Sequence, residues 1–85
     1  MTMSVEERIE SYIRNEFEIG DDPDFSNDIH LFDSGFVDSL GATTIVMYIE
    51  KEFDIQITQK DLMKYPMNTV EEIAAVVEQK LSEKE

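Results

Sequence analysis

The chain has no cysteine among its 85 residues, which excludes disulfides, thiolate metal sites and cysteine nucleophiles. Any thiol chemistry connected with this protein must therefore use a thiol that the chain does not encode. Histidine is nearly as scarce, because His30 is the only one. A serine nucleophile needs a base with an orienting partner, and the sequence around His30 offers no such arrangement. These absences argue against a self-contained hydrolase.

Basic residues and long apolar runs are also missing. Seven lysines and arginines stand against twenty acidic residues, so the net charge is −13. This charge repels nucleic acid and anionic membrane surfaces and favours basic protein partners. No apolar run approaches the length of a membrane span, and the N-terminus lacks the cationic and apolar regions of a signal peptide. We therefore expect a monomeric, cytoplasmic protein that binds neither nucleic acid nor membrane.

The length of the chain predicts one small domain over residues 1–85. At this size roughly 60 to 65% of the unfolded surface can be buried, which leaves little room for a large enclosed active site. We therefore expect function to reside on the surface or in a loop.

Apolar residues recur at helical spacing in three segments and predict three long helices with a short one between the last two. The first helix is expected from Val5 to about Glu18, after a capping box that begins at Ser4. The second should follow its N-cap Asp38 and end at about Phe53. A short helical turn from Thr58 through about Lys64 and a last helix after a capping box at Thr69 complete the prediction. No segment alternates for long enough to form a sheet. The predicted fold is all-α, a small four-helix bundle with a long loop between the first two helices.

The long loop runs from Gly20 to Val37 and carries several apolar residues that could attach it to the core. These are Phe25, Ile29, Leu31, Phe32 and Phe36. Loops of this length in compact domains are usually functional or disordered, and the apolar residues favour an ordered loop.

Part of this loop resembles an EF-hand calcium loop, with oxygen-bearing side chains at alternate positions from Asp22. The sixth position is Asn27 instead of glycine, the twelfth is Asp33 instead of glutamate, and Pro23 constrains the entry. A solvated acidic loop is the better interpretation, with weak calcium binding as the alternative.

Ser39 follows the expected N-cap Asp38 and therefore begins the second helix. The unpaired backbone N–H groups and the positive dipole end of a helix N-terminus favour a phosphate there. Ser34 is also preceded by an aspartate, but Gly35 follows it and indicates a turn. Residues 38 and 39 alone are equally consistent with an ordinary helix cap.

The longer block from Leu31 to Leu40, LFDSGFVDSL, together with EKEFDI at 50–55, resembles the acyl carrier protein family. The resemblance covers nearly the whole chain, since length, acidic charge, helix pattern and the long first loop agree with it as well. In motif the chain is most similar to discrete D-alanyl or aminoacyl carrier proteins.

This resemblance implies that Ser39 carries a covalent 4′-phosphopantetheine arm derived from coenzyme A. Ser39 Oγ would attack the β-phosphate of coenzyme A in a phosphopantetheinyl transferase, releasing 3′,5′-adenosine bisphosphate, and Asp38 would help to position the magnesium ion and the cofactor of that enzyme. The chain itself would be no enzyme, with no catalytic residue and no metal site.

The thiol of the arm would hold an acyl or aminoacyl group as a thioester. The implied partners are a loading ligase that adenylates the cargo and downstream condensing, transferring or modifying enzymes. They would dock on the second helix, where Leu40, Thr43, Met47 and Glu50 are the candidate contacts. Met47 is equally consistent with a partly buried position.

Three departures from the fatty-acid carriers bear on the cargo. Two residues, Phe36 and Val37, separate the glycine from the aspartate, Gly41 stands in place of an acid, and Thr44 occupies another usually acidic position. They favour an aminoacyl or specialised-metabolite cargo over a fatty-acid or polyketide acyl group, which stays the alternative. An acidic helical interaction module is the alternative of a different class.

Overall fold

The computed structural model describes residues 3–84, which contain four helices and no strand. The helices are α1 (Val5–Glu16), α2 (Ser39–Phe53), α3 (Gln59–Lys64) and α4 (Val70–Lys84). The prediction of an all-α fold with three long helices, one short helix and a long first loop is confirmed. Within the described residues no helix is both long and apolar enough to cross a membrane.

Helix α1 begins as predicted and ends two residues earlier than predicted. The Glu7 N–H donates to Ser4 Oγ (3.1 Å) and the Ser4 N–H donates to Glu7 Oε1 (2.9 Å), which is a complete capping box. At the other end Glu18 has a left-handed φ of 56°, and the Ile19 N–H donates to the Arg14 carbonyl (2.8 Å). This is a Schellman-type end. It forms before Gly20 because Ile19 turns inward to pack against the core.

The other three helices also begin at the expected caps. The Gly41 N–H donates to Asp38 Oδ1 (2.8 Å), and Thr58 and Asp61 form a complete capping box. At α4 the Glu72 N–H donates to Thr69 Oγ1 (3.0 Å), as predicted. The Glu72 carboxylate accepts from the Asn68 N–H (2.9 Å) instead of the Thr69 N–H, so this box is extended by one residue.

The core is formed by one face of each long helix and by the first loop. Its buried apolar residues are Ile9, Ile13, Phe25, Leu31, Val37, Ile45, Ile49, Phe53, Ile55, Val70, Ile73, Ala74 and Val77. The loop is tied to the start of α4 by two backbone hydrogen bonds, from Leu31 to Asn68 (2.8 Å) and from Glu71 to Asn27 (3.1 Å). The expectation of an ordered loop is therefore confirmed.

Helix α3 is attached to α4 by an ion pair that the sequence did not reveal. Lys80 Nζ lies 2.6 Å from Asp61 Oδ2, and Thr58 donates to the same carboxylate. The Lys80 hydrogen bond, followed by the bond from the Thr58 backbone, lowers the pKa of Asp61 to about 2. Lys80 thus binds a side chain of α3 and fixes this short helix against α4.

Candidate functional site

Ser39 is the first residue of α2, and the residues before it hold the start of this helix in place. Val37 is buried, and its N–H donates to the Leu31 carbonyl (3.1 Å). Asp38 then caps the helix through Gly41. Ser39 itself is exposed, and within residues 3–84 its hydroxyl makes no hydrogen bond to the protein. The hydroxyl is therefore presented to solvent from a backbone that is anchored on the core.

The backbone groups around Ser39 fit a phosphate ester. The Asp38 carboxylate and carbonyl accept the N–H groups of Gly41 and Ala42, which leaves the N–H groups of Ser39 and Leu40 without a partner in the described part of the chain. The first turn of α2 contains no acidic residue, in contrast to the other three helices. Unpaired donors and the positive end of the helix dipole stabilise a negatively charged group at this position.

The competing serine, Ser34, has its hydroxyl engaged inside a turn. Ser34 Oγ donates to the Leu31 carbonyl (3.1 Å) and accepts from the Phe36 N–H (3.4 Å). Gly35 follows with a φ of +87°, which confirms the turn that its glycine predicted. The geometry favours Ser39 over Ser34 as the modified hydroxyl.

His30 makes its contacts within its own loop. Its Nδ1 accepts the Asp33 N–H (3.1 Å), and its Nε2 lies 3.8 Å from Asp33 Oδ2. The ring also meets Phe32 edge to face. The contacts of the His30 ring are therefore with residues 32 and 33 of its own loop.

The acidic side chains of the first loop bond to their neighbours. Asp22 Oδ1 accepts the Asp24 N–H (2.9 Å), and Asp28 Oδ1 accepts the Ser26 hydroxyl (2.6 Å). Within residues 3–84, no three histidine or carboxylate side chains are placed to share a metal ion.

The candidate docking residues of α2 differ in how accessible they are. Leu40 and Met47 are 79% and 64% exposed, and Thr43 is exposed as well. Met47 is therefore exposed and not partly buried, the two positions with which the sequence was equally consistent. Glu50 is half-buried, and its Oε2 accepts the Ile57 N–H (2.9 Å), so its carboxylate also holds the segment between α2 and α3.

The sequence did not indicate two features near α2. Helix α3 exposes Leu62 and Met63, and a cavity of ≈ 300 Å³ lies between α2, α3 and the residues before α4. Its lining is mostly apolar and consists of Phe32, Ala42, Ile45, Val46, Leu62, Tyr65, Pro66, Met67, Asn68 and Ile73. The one signal in the sequence was the apolar pair 62–63 in a helix too short to bury more than one face.

Gly41 is buried where the start of α2 meets the end of α1. A Cβ atom at this position would lie 2.6 Å from Val37 Cγ1 and 2.8 Å from Phe17 Cε1. Glycine is therefore required by close packing in this chain. The absence of an acid at position 41 has this packing cause, which weakens Gly41 as evidence about the cargo.

Comparison with known proteins finds relatives of this chain among carrier proteins. The family model for the phosphopantetheine attachment site matches residues 7–77. The D-alanyl carrier protein of Lactococcus lactis subsp. cremoris (strain MG1363) is 34% identical over 56 residues, which is 66% of this chain and 71% of that protein. The acyl carrier protein of Buchnera aphidicola subsp. Acyrthosiphon pisum (strain Tuc7) is 32% identical over 77 residues, or 91% and 92% of the two chains. No solved structure matches the chain.

These matches cover most of the sequence and agree with the resemblance found in its motif. They indicate a protein that works with a phosphopantetheinyl transferase and with biosynthetic enzymes. The chain belongs to the acyl carrier protein family, as a carrier and not a catalyst, with covalently attached 4′-phosphopantetheine as its cofactor.

Proposed function

We propose that Ser39 is the attachment residue and that the protein carries an acyl or aminoacyl group between biosynthetic enzymes. The observation that supports this most is the position of the Ser39 hydroxyl, exposed at the first residue of α2 and without an internal hydrogen bond among residues 3–84. The arm, when attached, supplies the thiol that this cysteine-free chain lacks and holds the cargo as a thioester.

Asp38 has a supporting role in this proposal. One carboxylate oxygen, Oδ1, accepts the Gly41 N–H and so fixes the turn that presents Ser39. The other carboxylate oxygen interacts with the transferase, where it helps to position the magnesium ion. Asp38 is thus a positioning residue for the modification and not a catalyst of this chain.

The exposed face of α2 is the proposed docking surface for partner enzymes. Leu40, Thr43 and Met47 lie on it, and Glu50 contributes charge at its far end while it holds Ile57. The net charge of −13 favours basic partners and gives a contact that salt weakens, as repeated exchange between enzymes requires.

For the cargo we propose an aminoacyl or specialised-metabolite group, loaded by a ligase that activates it as an adenylate. The similarity to the D-alanyl carrier protein and the Phe36–Val37 spacing support this choice. The apolar cavity beneath α3 favours the alternative, a fatty or polyketide acyl chain, because it offers such a chain a place to bury. The cytoplasmic location, monomeric state and single domain over residues 1–85 stay predictions.

The attachment is tested by incubating the protein with coenzyme A, magnesium and a broad-specificity phosphopantetheinyl transferase, followed by intact-mass analysis. Wild type and Ser34→Ala are expected to gain one phosphopantetheinyl group, and Ser39→Ala none. Ser34→Ala is the matched control, because it removes the other serine hydroxyl that follows an aspartate, five residues before Ser39. If several transferases add nothing to the wild type, Ser39 is an ordinary helix cap and the proposal is wrong.

The cargo is tested on protein isolated from its own cells with the thioester intact. Mass analysis of the released group separates the two cargo classes, because an amino acid and an acyl chain differ in mass and in reaction with amine reagents. A fatty or polyketide chain on most molecules would replace the aminoacyl proposal by its alternative.

A further inference from the structure

The side of α2 that carries Ser39 has one charged residue, Glu50, near its far end. At about 100° per residue, Val46 and Glu50 lie within about 20° of the direction of Ser39 around the helix axis. The other charged residues of α2, Lys51 and Glu52, lie about 120° or more away from that direction. Glu50 is therefore the one charged residue of α2 on the side of the proposed attachment residue.

The Glu50 carboxylate has one oxygen in use and one that is open. Its Oε2 accepts the Ile57 N–H (2.9 Å), which fixes the half-buried side chain in place. Within residues 3–84 its Oε1 accepts no hydrogen bond, and no side-chain oxygen without a partner is buried there, so Oε1 is accessible to solvent. A carboxylate oxygen that is held in position and accessible is suited to bind a cationic group, since charge-assisted hydrogen bonds are the stronger ones.

The distance from Ser39 to Glu50 along α2 matches the reach of a phosphopantetheine arm. At 1.5 Å per residue the two residues are about 16 Å apart along the helix. About 14 bonds separate Ser39 Oγ from the sulfur of the arm, which is roughly 16 Å when extended, and the amine of an aminoacyl cargo lies about three bonds further. The amine can therefore pass Val46, which lines the apolar cavity, and reach the level of Glu50.

We propose that Glu50 Oε1 binds the ammonium group of an aminoacyl cargo while the carrier is between enzymes. This inference rests on the proposed function, since it requires the arm on Ser39 and a cargo with an amine. Binding keeps the amine protonated, and an ammonium has no lone pair with which to attack a thioester. Asp33 and Asp38 lie so close to Ser39 in the chain that the amine reaches them only when the arm folds back.

The test uses two stable arms that a broad-specificity phosphopantetheinyl transferase attaches to the protein. They come from the amide analogues of alanyl- and propionyl-coenzyme A, in which an N–H replaces the sulfur and prevents hydrolysis. NMR of the isotope-labelled alanyl arm at physiological salt gives the pH at which its amine loses the proton. This pH is expected to be about 0.2 to 0.7 higher in the wild type than in Glu50→Gln. Glutamine keeps an oxygen that accepts the Ile57 N–H, and circular dichroism checks that the variants fold.

Two controls accompany this measurement. Asp33→Asn also removes one negative charge, from an exposed side chain near Ser39, and should change the pH of proton loss by less than about 0.1. The alanyl arm should shift the amide resonance of Ile57, because this N–H donates to the carboxylate that binds the ammonium. The propionyl arm differs from the alanyl arm only in lacking the ammonium, and it should leave that resonance unchanged.

The outcomes separate this inference from the carrier function. If the amine loses its proton at the same pH in the wild type and in Glu50→Gln, Glu50 does not bind it, although attachment at Ser39 stands. An equal change in Asp33→Asn means that the amine responds to the general acidity of the chain and not to Glu50. An Ile57 shift with both arms means that Glu50 contacts the arm and not the ammonium. If the transferase attaches neither these arms nor that of coenzyme A itself, the carrier function fails and this inference fails with it.

Discussion

Replacing Gly41 by alanine tests why this chain has glycine two residues after Ser39. The added Cβ would lie 2.6 Å from Val37 Cγ1, which is buried and stiff because valine is β-branched, and 2.8 Å from the Phe17 ring. Overpacking of this kind costs about 1 to 3 kcal/mol. Alanine recovers up to about 1 kcal/mol through its better helix propensity. Two contacts below 3 Å place the overpacking cost in the upper part of this range, about 2 to 3 kcal/mol, so the expected net loss in the free energy of unfolding is about 1 to 2 kcal/mol.

Urea unfolding followed by circular dichroism measures this loss. For a domain of this size the urea m-value is about 1 kcal/mol/M, so the midpoint should fall by about 1 to 2 M. Thr43→Ala is the matched control, because Thr43 lies exposed on the same helix, and its effect should stay within about 0.5 kcal/mol. Gly41→Asp should cost more than Gly41→Ala, since it adds a carboxylate to a buried position.

A double-mutant cycle with Val37→Ala shows whether the contact itself is responsible. Val37→Ala removes the Cγ1 atom that the new Cβ would meet, so Gly41→Ala should cost about 1 kcal/mol less in that background than in the wild type. Two results together would refute the reasoning: a Gly41→Ala variant as stable as the wild type, and additive effects of the two substitutions. Gly41 would then regain its value as evidence about the cargo.

Three further predictions concern the rest of the domain. The Asp61 carboxylate has its pKa lowered to about 2, so its contribution to stability is complete above the unfolded pKa of about 4 and is lost as the pH falls towards 2. The loss of thermal stability in Asp61→Asn should therefore shrink over this range, and a loss that stays constant from about pH 5 to about pH 2 would contradict the ion pair with Lys80. Ile49→Ala should cost about 2 to 5 kcal/mol in urea unfolding, and Met47→Ala less than about 0.5 kcal/mol, because Ile49 is fully buried and Met47 is exposed; similar values would contradict the orientation of α2. Calcium should not raise the melting temperature. Because a ligand that binds only the folded state must stabilise it, saturable stabilisation by calcium would instead support the alternative of a calcium-binding loop.

The helix starts could be predicted because their causes are local. Ser4, Asp38, Thr58 and Thr69 each bond to a backbone N–H three residues later, and this spacing is visible in the sequence. The serine at the start of α2 follows from one of these caps. Local chemistry therefore located the central residue of the candidate site.

The features that the sequence did not reveal depend on distant contacts. Helix α1 ends at Glu16 because Ile19 joins the core, and Asp61 is buried because Lys80 reaches it from α4. The close approach of Gly41 to Phe17 joins two different helices. Neither spacing nor propensity contains these pairings, which exist only once the helices have packed together.

The cavity between α2 and α3 distinguishes the two cargo classes, which the residue at position 41 does not. An aminoacyl group carries an ammonium, and the mostly apolar lining of the cavity would leave this charge without a partner, which is costly. Such a cargo would stay in water beside α2. An apolar acyl chain would instead gain by entering the cavity between α2 and α3. The two cargo classes therefore differ in whether the carrier itself covers what it carries, and this difference does not depend on Gly41.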